Sequence, residues 1–306
     1  MDNGLKPSII VTGSNGLIGS KFHAIAKDIF TVVPAEINNL ENPVDITKRD
    51  QVFSLFEKVK PTALVHFAAF TNVTAAWEQS GDKNGIAYQV NVLGTENITA
   101  ACEAFETQLI HVSTAYVFDG SKDKPYLETD ATCPIEWYGT TKALAEETVQ
   151  NSSCKHIIFR IDQPFRSDDF PKLDVVRRIV NGIITDSLYP QFTDHFFSPT
   201  YIDDFVQSIF WAITNSKTGL YHCTTNTVVS DYEFAQLIRK HLEKTFEIQS
   251  SSVVDYLKKT ARPYQVNTSL NSDKLRQESN LEILNLPQAL EKVIINLDAL
   301  APDATQ

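Results

Sequence analysis

The sequence predicts an α/β fold, in which a doubly wound parallel sheet is followed by a smaller C-terminal α/β region. A β-branched run near the N-terminus leads directly into a glycine-rich turn. Short apolar runs then alternate with amphipathic helical patterns, which is typical of parallel strands joined by crossover helices. No internal repeat or low-complexity tract divides the chain. We therefore expect a first domain at residues 1–160 and a second region at residues 161–306, with a segment near residues 185–225 that returns to the first domain.

The elements of this sheet follow from apolar runs bounded by turns. The sequence predicts strands at residues 8–12, 30–34, 63–67 and 108–113, another from residue 157 onward, and a short strand at residues 219–222. Helical spacing of apolar residues predicts helices at residues 17–28, 48–60, 84–105, 137–150, 170–182, 201–214 and 231–243, the last with Asp231 as its N-cap. Because strands and helices alternate, helices are expected on both faces of the sheet.

The glycine-rich turn is Gly13-Ser-Asn-Gly16-Leu-Ile-Gly19. Glycines at this spacing allow a tight turn and let the backbone approach a pyrophosphate, while the following helix points its N-terminus at the phosphates. The turn has the expected context, with a strand before it and an amphipathic helix after it. It predicts a dinucleotide site of the Rossmann type. The alternative is an ordinary glycine turn between a strand and a helix.

An acidic residue, Glu36, follows the second predicted strand. A carboxylate at this position can accept hydrogen bonds from the hydroxyls of an adenosine ribose, whereas a 2′-phosphate would require an arginine. Glu36 therefore favours NAD(H) and leaves NADP(H) open. The alternative is that Glu36 is a solvated loop carboxylate.

The segment YGTTK places Tyr138 and Lys142 four residues apart, which is about one helical turn. On one helix face the ammonium of Lys142 can lie beside the phenol of Tyr138, and a nearby cation lowers the pKa of a phenol. A tyrosine so placed can act as a general acid or base on a carbonyl or alcohol. The alternative is an amphipathic helix with a snorkelling lysine. Two hydroxyl residues, Ser113 and Thr114, end the strand that precedes this helix.

Composition and charge exclude several classes of protein. The 306 residues carry a net charge of −11 and no dense cluster of lysine and arginine, so we expect no nucleic-acid partner. The four cysteines form no CxxC pair and no metal site is visible, which is typical of reduced thiols. No apolar run reaches the ~18 residues of a membrane span. The N-terminus lacks the pattern of a signal peptide, so a cytoplasmic protein is expected.

Further segments give the chain a specific resemblance to a known family. They are TGSNGLIGS, HFAAFTNVTAAWE, AYQVNVLGTENI, STAYVFDG, PYLETD, YGTTK, FFSPTYIDDF and GLYHCTTNTVVSDYEFA, which together extend from about residue 8 to about residue 245. With these motifs the chain resembles the extended short-chain dehydrogenases/reductases, and within them it is most similar to the dTDP-4-dehydrorhamnose reductases. The resemblance implies an NAD(P)H-dependent oxidoreductase of carbohydrate biosynthesis that reduces the 4-keto group of a nucleotide-linked deoxysugar.

The resemblance also implies roles for individual residues. The catalytic group would be Thr114, Tyr138 and Lys142. The cofactor-binding residues would be Gly13, Ser14, Asn15, Gly16, Leu17, Ile18, Gly19, Glu36, Asp45, Ile46, Phe67, Ala68, Ala69, Thr71, Asn91, Ser113, Tyr138 and Lys142. The substrate would be bound by Thr114, Ala115, Tyr116, Gln163 and Arg262. The first domain would bind NAD(P), the region after residue 160 would mainly bind the nucleotide-sugar, and a homodimer is compatible with the family.

The chain departs from the reductase pattern at three places where the sugar would be recognised. The family usually has an aspartate after the catalytic hydroxyl, and this chain has Ala115. It usually has a tryptophan at the position of Gln163, after a small, hydroxyl-rich approach. The segment at residues 261–275 is only loosely similar to the family's substrate-closing loop. The reaction type is therefore better defined than the sugar.

Two other functions remain open from the sequence. An epimerase of the same superfamily also tolerates a small residue at Ala115, whereas dehydratases place two acids where this chain has Ala115 and Tyr116. A regulatory protein that binds NAD(P) without turnover is the second alternative, as the regulatory subunit of methionine adenosyltransferase is understood to be. The retention of Thr114, Tyr138 and Lys142 argues against lost catalysis.

Cations and histidines outside these motifs complete the set of candidates. The cations that could contact a diphosphate are Lys124, Arg160, Arg166 and Arg262. The histidines within or beside predicted strands are His66, His111 and His222, and we expect them to be hydrogen-bonded core residues without chemistry.

Overall fold

The computed structural model describes residues 6–41, 43–242 and 245–300, the last six of these by their backbone alone. The chain forms two compact units. The first comprises the described residues of Met1–Asp119, Ala131–Arg160 and Ser208–Tyr221. The second comprises those of Gly120–Asp130, Ile161–Gln207 and His222–Gln306.

Ten strands are assigned among the described residues. They are β1 (Ser8–Thr12), β2 (Thr31–Ala35), β3 (Ala63–His66), β4 (Gln108–Thr114), β5 (His156–Ile161), β6 (Gln191–Phe192), β7 (Phe196–Phe197), β8 (Gly219–His222), β9 (Val229–Ser230) and β10 (Ser250–Ser251). The largest sheet has the order β2-β1-β3-β4-β5-β8. Strand β1 is parallel to both β2 and β3, and β3 is parallel to β4. The predicted parallel α/β sheet is confirmed.

Twelve α-helices accompany these strands in the described part of the chain. They are α1 (Gly19–Ala26), α2 (Arg49–Val59), α3 (Val73–Trp77), α4 (Ile86–Tyr88), α5 (Thr95–Ala104), α6 (Trp137–Gln150), α7 (Val175–Ile184), α8 (Ile202–Thr214), α9 (Asp231–His241), α10 (Val253–Leu257), α11 (Asp273–Ser279) and α12 (Leu286–Leu300). A π-helical segment, Gln89–Gly94, joins α4 to α5, and a 3₁₀ turn, Ala115–Val117, follows β4.

The central strands read as continuous apolar runs because both of their faces are buried. Ile9, Ile10 and Val11 of β1 are fully buried, and so are Leu64 and Val65 of β3. Strand β2 contains a proline, which cannot donate a hydrogen bond to a neighbouring strand. Its place at the edge of the sheet makes this tolerable.

The second unit has its own apolar core. Helices α7, α9 and α12 supply most of its side chains, including Ile179, Phe234 and Leu290. Strand β6 pairs in parallel with β10, and β7 pairs antiparallel with β9. Helix α7 has the spacing that this core requires, since Val176, Ile179, Val180 and Ile183 lie on one face.

Most predicted elements match the observed ones within a few residues, and three details were wrong. The helix predicted at residues 170–182 begins at Val175, because Pro171 precedes it and the Asp174 side chain caps it by accepting from the Arg177 amide. The N-cap of α9 is Ser230 rather than Asp231, since Ser230 and Glu233 form a capping box. The predicted end of that helix at Glu243 lies outside the described residues. The helix predicted at residues 84–105 contains the π-helical segment.

The described residues also bear on three expectations from the sequence, which concern membrane spans, metal ligands and cysteines. No helix of the described residues is long and apolar enough to cross a membrane. Within the same ranges, no three His, Cys, Asp or Glu side chains are grouped as metal ligands. All four cysteines, Cys102, Cys133, Cys154 and Cys223, are free thiols.

Candidate active site

The glycine-rich turn packs directly against the chain that leaves β3. Gly13 has φ +67°, and a Cβ added there would lie 2.6 Å from the Ala68 amide nitrogen, so only glycine fits. The Gly16 amide donates to the Gly13 carbonyl at 3.0 Å and closes the turn. Helix α1 follows, and among the described residues no side chain caps its N-terminus. The positive end of the helix dipole therefore faces the turn, as an anionic ligand requires.

Glu36 lies beside this turn and is half-buried. It follows β2, and its carboxylate accepts a hydrogen bond from the Ser14 amide. The Ser14 hydroxyl is buried and has no hydrogen-bond partner among the described residues. The same is true of the Ser113 hydroxyl at the end of β4. These two hydroxyls, the turn and the uncapped α1 fit a dinucleotide.

Two further predicted cofactor residues lie in the loop before α2. The Asp45 carboxylate accepts from the Thr47 amide at 2.9 Å and from the Thr47 hydroxyl at 2.7 Å. Ile46 is buried and packs so closely on Gly94 of the π-helical segment that a Cβ there would lie 2.7 Å from Ile46 Cδ1. This loop is thus held in one conformation.

Helix α6 carries the predicted catalytic pair, and its first turn is fixed by a side-chain cap. The Glu136 carboxylate accepts from the Tyr138 amide at 2.8 Å and from the Gly139 amide at 2.6 Å. A Cβ on Gly139 would lie 2.1 Å from the Tyr116 carbonyl oxygen, so the 3₁₀ turn after β4 packs on the backbone of α6. The Thr114 hydroxyl begins that 3₁₀ turn by accepting from the Tyr116 amide at 3.3 Å. The fold therefore places Thr114 and Tyr138 on adjoining segments.

Tyr138 lies in a small apolar cluster. Its side chain is buried together with Ala76 and Ala87, and its ring contacts the ring of Tyr116 with 5.8 Å between centroids. The neighbouring Ala115 is fully buried. The Tyr138 ring is thus packed among apolar and aromatic side chains.

Lys142, one helical turn after Tyr138 in α6, is buried at 3% exposure. Its ammonium donates to the Val112 carbonyl at 2.8 Å and lies 3.5 Å from Nε2 of His111. Burial lowers the pKa of Lys142 to about 8, while the charge of Glu146 acts in the opposite direction. Lys142 is therefore an ammonium below that pH and neutral above it.

Asn91, in the π-helical segment, joins the loop after β3 to helix α6. Its amide oxygen accepts from the Phe70 amide at 2.8 Å, and its amide nitrogen donates to the Phe70 carbonyl at 3.1 Å and to the Thr141 hydroxyl at 3.0 Å. The predicted cofactor residues Phe67, Ala68, Ala69 and Thr71 belong to this same loop. Asn91 thus links the loop to helix α6.

Gln163 and Arg262, the remaining substrate candidates, belong to the second unit. Gln163 is the second residue after the end of β5 and has φ +38°, a strained conformation for a residue other than glycine. The preceding residue, Asp162, has a buried carboxylate that accepts from the Thr268 hydroxyl at 2.7 Å. Burial raises the pKa of Asp162 to about 7. The Arg262 guanidinium lies over the Tyr264 ring, 5.4 Å from its centroid.

Two of the four predicted diphosphate cations are already paired within the protein. Arg160 forms a bidentate, buried pair with Glu146 at 2.9 and 2.6 Å. Arg166 also forms a bidentate pair, with the half-buried Asp168, at 2.9 and 2.6 Å. Because these carboxylates neutralise both guanidinium groups, we retain only Lys124 and Arg262 as candidates.

The histidines are buried, as expected. Both ring nitrogens of His66 are hydrogen-bonded, to Thr12 at 2.7 Å and to Thr95 at 3.1 Å. Nδ1 of His222 lies 3.2 Å from the Asn271 carbonyl. Nε2 of His111 lies 3.5 Å from the Lys142 ammonium, whereas its Nδ1 has no partner among the described residues, so this ring is hydrogen-bonded at one nitrogen.

The sequence analysis did not identify Glu136 and Glu146 as parts of the site. Glu146 lies four residues after Lys142, so helical spacing alone could have placed the two charges on one face. Glu136 directly precedes the helix, but glutamate is not a preferred N-cap residue, and this signal was weak.

Comparisons with known proteins identify the family of the chain. The family model described as RmlD substrate binding domain matches residues 7–299. A dTDP-4-dehydrorhamnose reductase from Aggregatibacter actinomycetemcomitans is 29% identical over 305 residues, which cover 93% of this chain and 97% of the relative. The crystal structure of the Bacillus anthracis dTDP-4-dehydrorhamnose reductase in complex with NADP has a TM-score of 0.84 at 25% identity, covering 95% of this chain and 99% of the other.

A more distant structure shares the fold. The Thermus thermophilus UDP-glucose 4-epimerase complex with NAD has a TM-score of 0.80 at 18% identity, and the likeness covers 95% of this chain and 99% of that one. This similarity shows the fold alone. The fold therefore does not by itself separate reduction from epimerisation.

Proposed function

Because this chain belongs to the RmlD substrate binding domain family, we propose that it is an NAD(P)H-dependent reductase of the 4-keto group of a nucleotide-linked deoxysugar. One observation carries the proposal. Tyr138 and Lys142 lie one turn apart in α6, and the 3₁₀ turn that follows Thr114 packs against the first turn of the same helix. The match to the family model extends over nearly the whole chain, and the relatives described above are named as reductases.

Residues of the first unit have distinct roles in the proposed reaction. A reduced nicotinamide, when bound, supplies the hydride. Tyr138 donates the proton to the carbonyl oxygen as a general acid, and the Thr114 hydroxyl donates a hydrogen bond to the same oxygen. Lys142 provides a positive charge one helical turn from Tyr138 and is expected to contact the cofactor. The turn from Gly13 to Gly19 would hold the pyrophosphate.

The two regions predicted from the sequence have separate roles in this proposal. Residues 1–160 form the NAD(P)-binding domain, and residues 161–306 mainly bind the nucleotide-sugar, with a segment near residues 185–225 returning to the first domain. Gln163 and Arg262 contribute to sugar and diphosphate binding. The cytoplasmic location and a homodimer stay predictions from the sequence.

A panel of nucleotide-linked keto sugars, tested for oxidation of NADH and NADPH, examines the proposed function. Reduction yields oxidised cofactor and a new sugar alcohol in equal amounts. Epimerisation changes the sugar without net oxidation of the cofactor. A regulatory protein would bind the dinucleotide and change no sugar, and that result would refute the proposal.

The substrate preference gives a separate prediction. We expect dTDP-4-dehydrorhamnose to be a poor substrate, or at least not the only one, because Ala115 and Gln163 stand where the similar reductases have other side chains. Loss of a polar partner in a buried site costs about 1–3 kcal/mol, enough to change substrate choice. The measurement is kcat/KM across the panel, with Gln163→Trp expected to improve the value for dTDP-4-dehydrorhamnose. High efficiency of the natural chain with that compound would show that the substitutions are neutral.

Glu36 is expected to set the cofactor preference in favour of NADH. Its carboxylate at the glycine turn can accept from ribose hydroxyls and repels a 2′-phosphate. We expect Glu36→Ala to shift the ratio of the Kd values for NADH and NADPH by about tenfold toward NADPH. Fluorescence titration of both dinucleotides measures this ratio. Glu41→Ala removes an exposed acid from the same loop and is the matched control. Tighter binding of NADPH that Glu36→Ala leaves unchanged would exclude Glu36 from the ribose site.

Lys142 is expected to control the alkaline limb of the pH profile. Its pKa is lowered to about 8 by burial, so the ammonium is lost as the pH rises through that value, and kcat should fall there. Lys142→Arg keeps a positive charge at all these pH values. The arginine variant should be slower, because its planar group cannot reproduce the contact with Val112, but its profile should lack the fall near that pH. If kcat of Lys142→Arg still falls near the same pH, the titration belongs to another group.

A further inference from the structure

The first unit contains a continuous series of hydrogen bonds from the glycine turn to the catalytic helix. Thr12 directly precedes Gly13, and its hydroxyl lies 2.7 Å from Nδ1 of His66. Nε2 of His66 lies 3.1 Å from the Thr95 hydroxyl. The series continues from Thr95 to the Asn91 carbonyl at 2.7 Å, from the Asn91 amide to the Thr141 hydroxyl at 3.0 Å, and from Thr141 to the Tyr138 carbonyl at 2.8 Å.

The direction of these bonds fixes the tautomer of His66. The Thr95 hydroxyl donates its one proton to the Asn91 carbonyl, so it can only accept from His66. Nε2 of His66 therefore carries the proton, and Nδ1 accepts from the Thr12 hydroxyl. Thr12 in turn accepts from the Ala68 amide at 3.2 Å. Every hydroxyl in the series thus has a donor and an acceptor partner.

The imidazole is held neutral by its surroundings. His66 is 2% exposed, and burial together with the charge of Lys142 lowers its pKa to about 3. The ring of His111 packs against it, with 5.5 Å between centroids. Burial and, to a lesser extent, the Lys142 ammonium beside it keep the pKa of His111 well below its usual range. His66 is consequently neutral at pH values well above 3.

We propose that His66 is a positioning residue that joins the dinucleotide turn to the segment carrying Tyr138. It touches no reacting atom. Through Nδ1 it fixes Thr12 and the start of the turn, and through Nε2 it fixes Thr95 and Asn91. Asn91 then holds Thr141, which binds the carbonyl of Tyr138. The part of the inference that concerns turnover rests on the proposed reductase function, and the part that concerns dinucleotide affinity does not.

Substitutions of His66 can test the contributions of its Nδ1 and Nε2 atoms separately. An asparagine amide reaches the position of Nδ1 and keeps the acceptor for Thr12, whereas a glutamine amide reaches the position of Nε2 and keeps the donor to Thr95. We expect His66→Asn to lower kcat about tenfold with a dinucleotide Kd within about twofold of the natural value. We expect His66→Gln to raise the dinucleotide Kd about tenfold with kcat within about twofold. His66→Leu should show both losses.

Two threonine variants repeat this test without changing the histidine. Thr95→Val removes the acceptor for Nε2 and should reproduce the effect of His66→Asn. Thr12→Val removes the donor to Nδ1 and should reproduce the effect of His66→Gln. If a His66 variant does not fold, these threonine variants test whether His66 is a positioning residue. In the double variant Thr95→Val/His66→Asn the loss in kcat should not exceed that of either single change, because both act on one bond.

The measurements are NADH and NADPH titration by fluorescence, kcat and KM with a nucleotide-linked keto sugar, and thermal unfolding of each variant. A purely structural role predicts one of two results. Either the Tm values fall while kcat and the dinucleotide Kd stay unchanged, or His66→Asn and His66→Gln impair kcat and the dinucleotide Kd to the same extent. Either result overturns the proposal. If the natural chain reduces no sugar, the proposed function fails. The dinucleotide affinities of His66→Asn, His66→Gln and Thr12→Val then still decide whether His66 acts on the turn.

Discussion

Replacement of Tyr138 by phenylalanine is expected to lower kcat with a nucleotide-linked keto sugar by about 10²- to 10⁴-fold, the usual contribution of general acid catalysis. The phenol oxygen is lost while the ring keeps its contacts with Tyr116 and its apolar cluster. The dinucleotide Kd should therefore remain close to the natural value. Steady-state kinetics and a dinucleotide titration measure the two effects separately.

Tyr88 offers a matched control for this substitution. Its ring stacks on Trp137 at the start of the same helix, with 6.3 Å between centroids, and it has no role in the proposed chemistry. Tyr88→Phe should change kcat by less than about twofold, since substitutions away from special sites have small effects. Near-normal kcat in Tyr138→Phe would remove Tyr138 from the proton-transfer step.

The second large effect concerns stability rather than turnover. Arg160 and Glu146 form a bidentate pair in which both side chains are almost fully buried, at 3% and 2% exposure. The guanidinium also lies over the Phe118 ring, 4.9 Å from its centroid. Arg160→Met leaves a buried carboxylate without its partner, and Glu146→Gln leaves a buried cation. Each single change is expected to lower the free energy of unfolding by about 3–5 kcal/mol.

The double variant Glu146→Leu/Arg160→Met distinguishes this explanation from simple loss of packing. Removing both charges avoids an uncompensated buried ion, so its stability should approach that of the natural chain. The pair formed by Lys258 and Asp255 is exposed, at 69% and 66%, and provides the control. Lys258→Met should cost less than about 1 kcal/mol. Urea unfolding gives all four values. Single changes at Arg160 and Glu146 that cost no more than the control would contradict the account of the buried pair.

Much of the first unit could be predicted because its signals are local. The β-branched run at residues 8–12, the glycine turn and the helix after it are adjacent in the sequence, and a local pattern predicts each of them. The helix at residues 137–150 was also predicted correctly, since its apolar spacing is regular. Within the site, Tyr138 and Lys142 could be recognised for the same reason, because they lie one turn apart.

The parts that could not be predicted depend on contacts between distant residues. The start of α7 is set by Asp174 and by Pro171 before it, whereas the apolar pattern already begins at Phe170. Arg160 looked like a candidate for a diphosphate until the fold brought it against Glu146, which is fourteen positions away. Residues 120–130 belong to the second unit because Tyr126 bridges Leu270, and no local pattern reports such a pairing.

The histidines illustrate the same limit within the site. The sequence places His66 at the end of a buried strand, where a hydrogen-bonded core residue is the expected outcome, and this was confirmed. The partners Thr12 and Thr95 lie fifty-four and twenty-nine positions away, so the sequence could not show that the two bonds join the glycine turn to the catalytic helix.

Transfer of a labelled hydride tests the central claim most directly. The protein is incubated with NADH or NADPH carrying deuterium at the transferable position, together with the nucleotide-linked 4-keto sugars of the panel, and the sugar product is examined by mass spectrometry and NMR. A reductase places one deuterium on the carbon that carried the keto oxygen, in an amount equal to the oxidised cofactor, and Tyr138→Phe slows its appearance. A sugar that changes configuration without acquiring deuterium, or a protein that binds the labelled cofactor and transfers none of it, would contradict the assignment as a reductase.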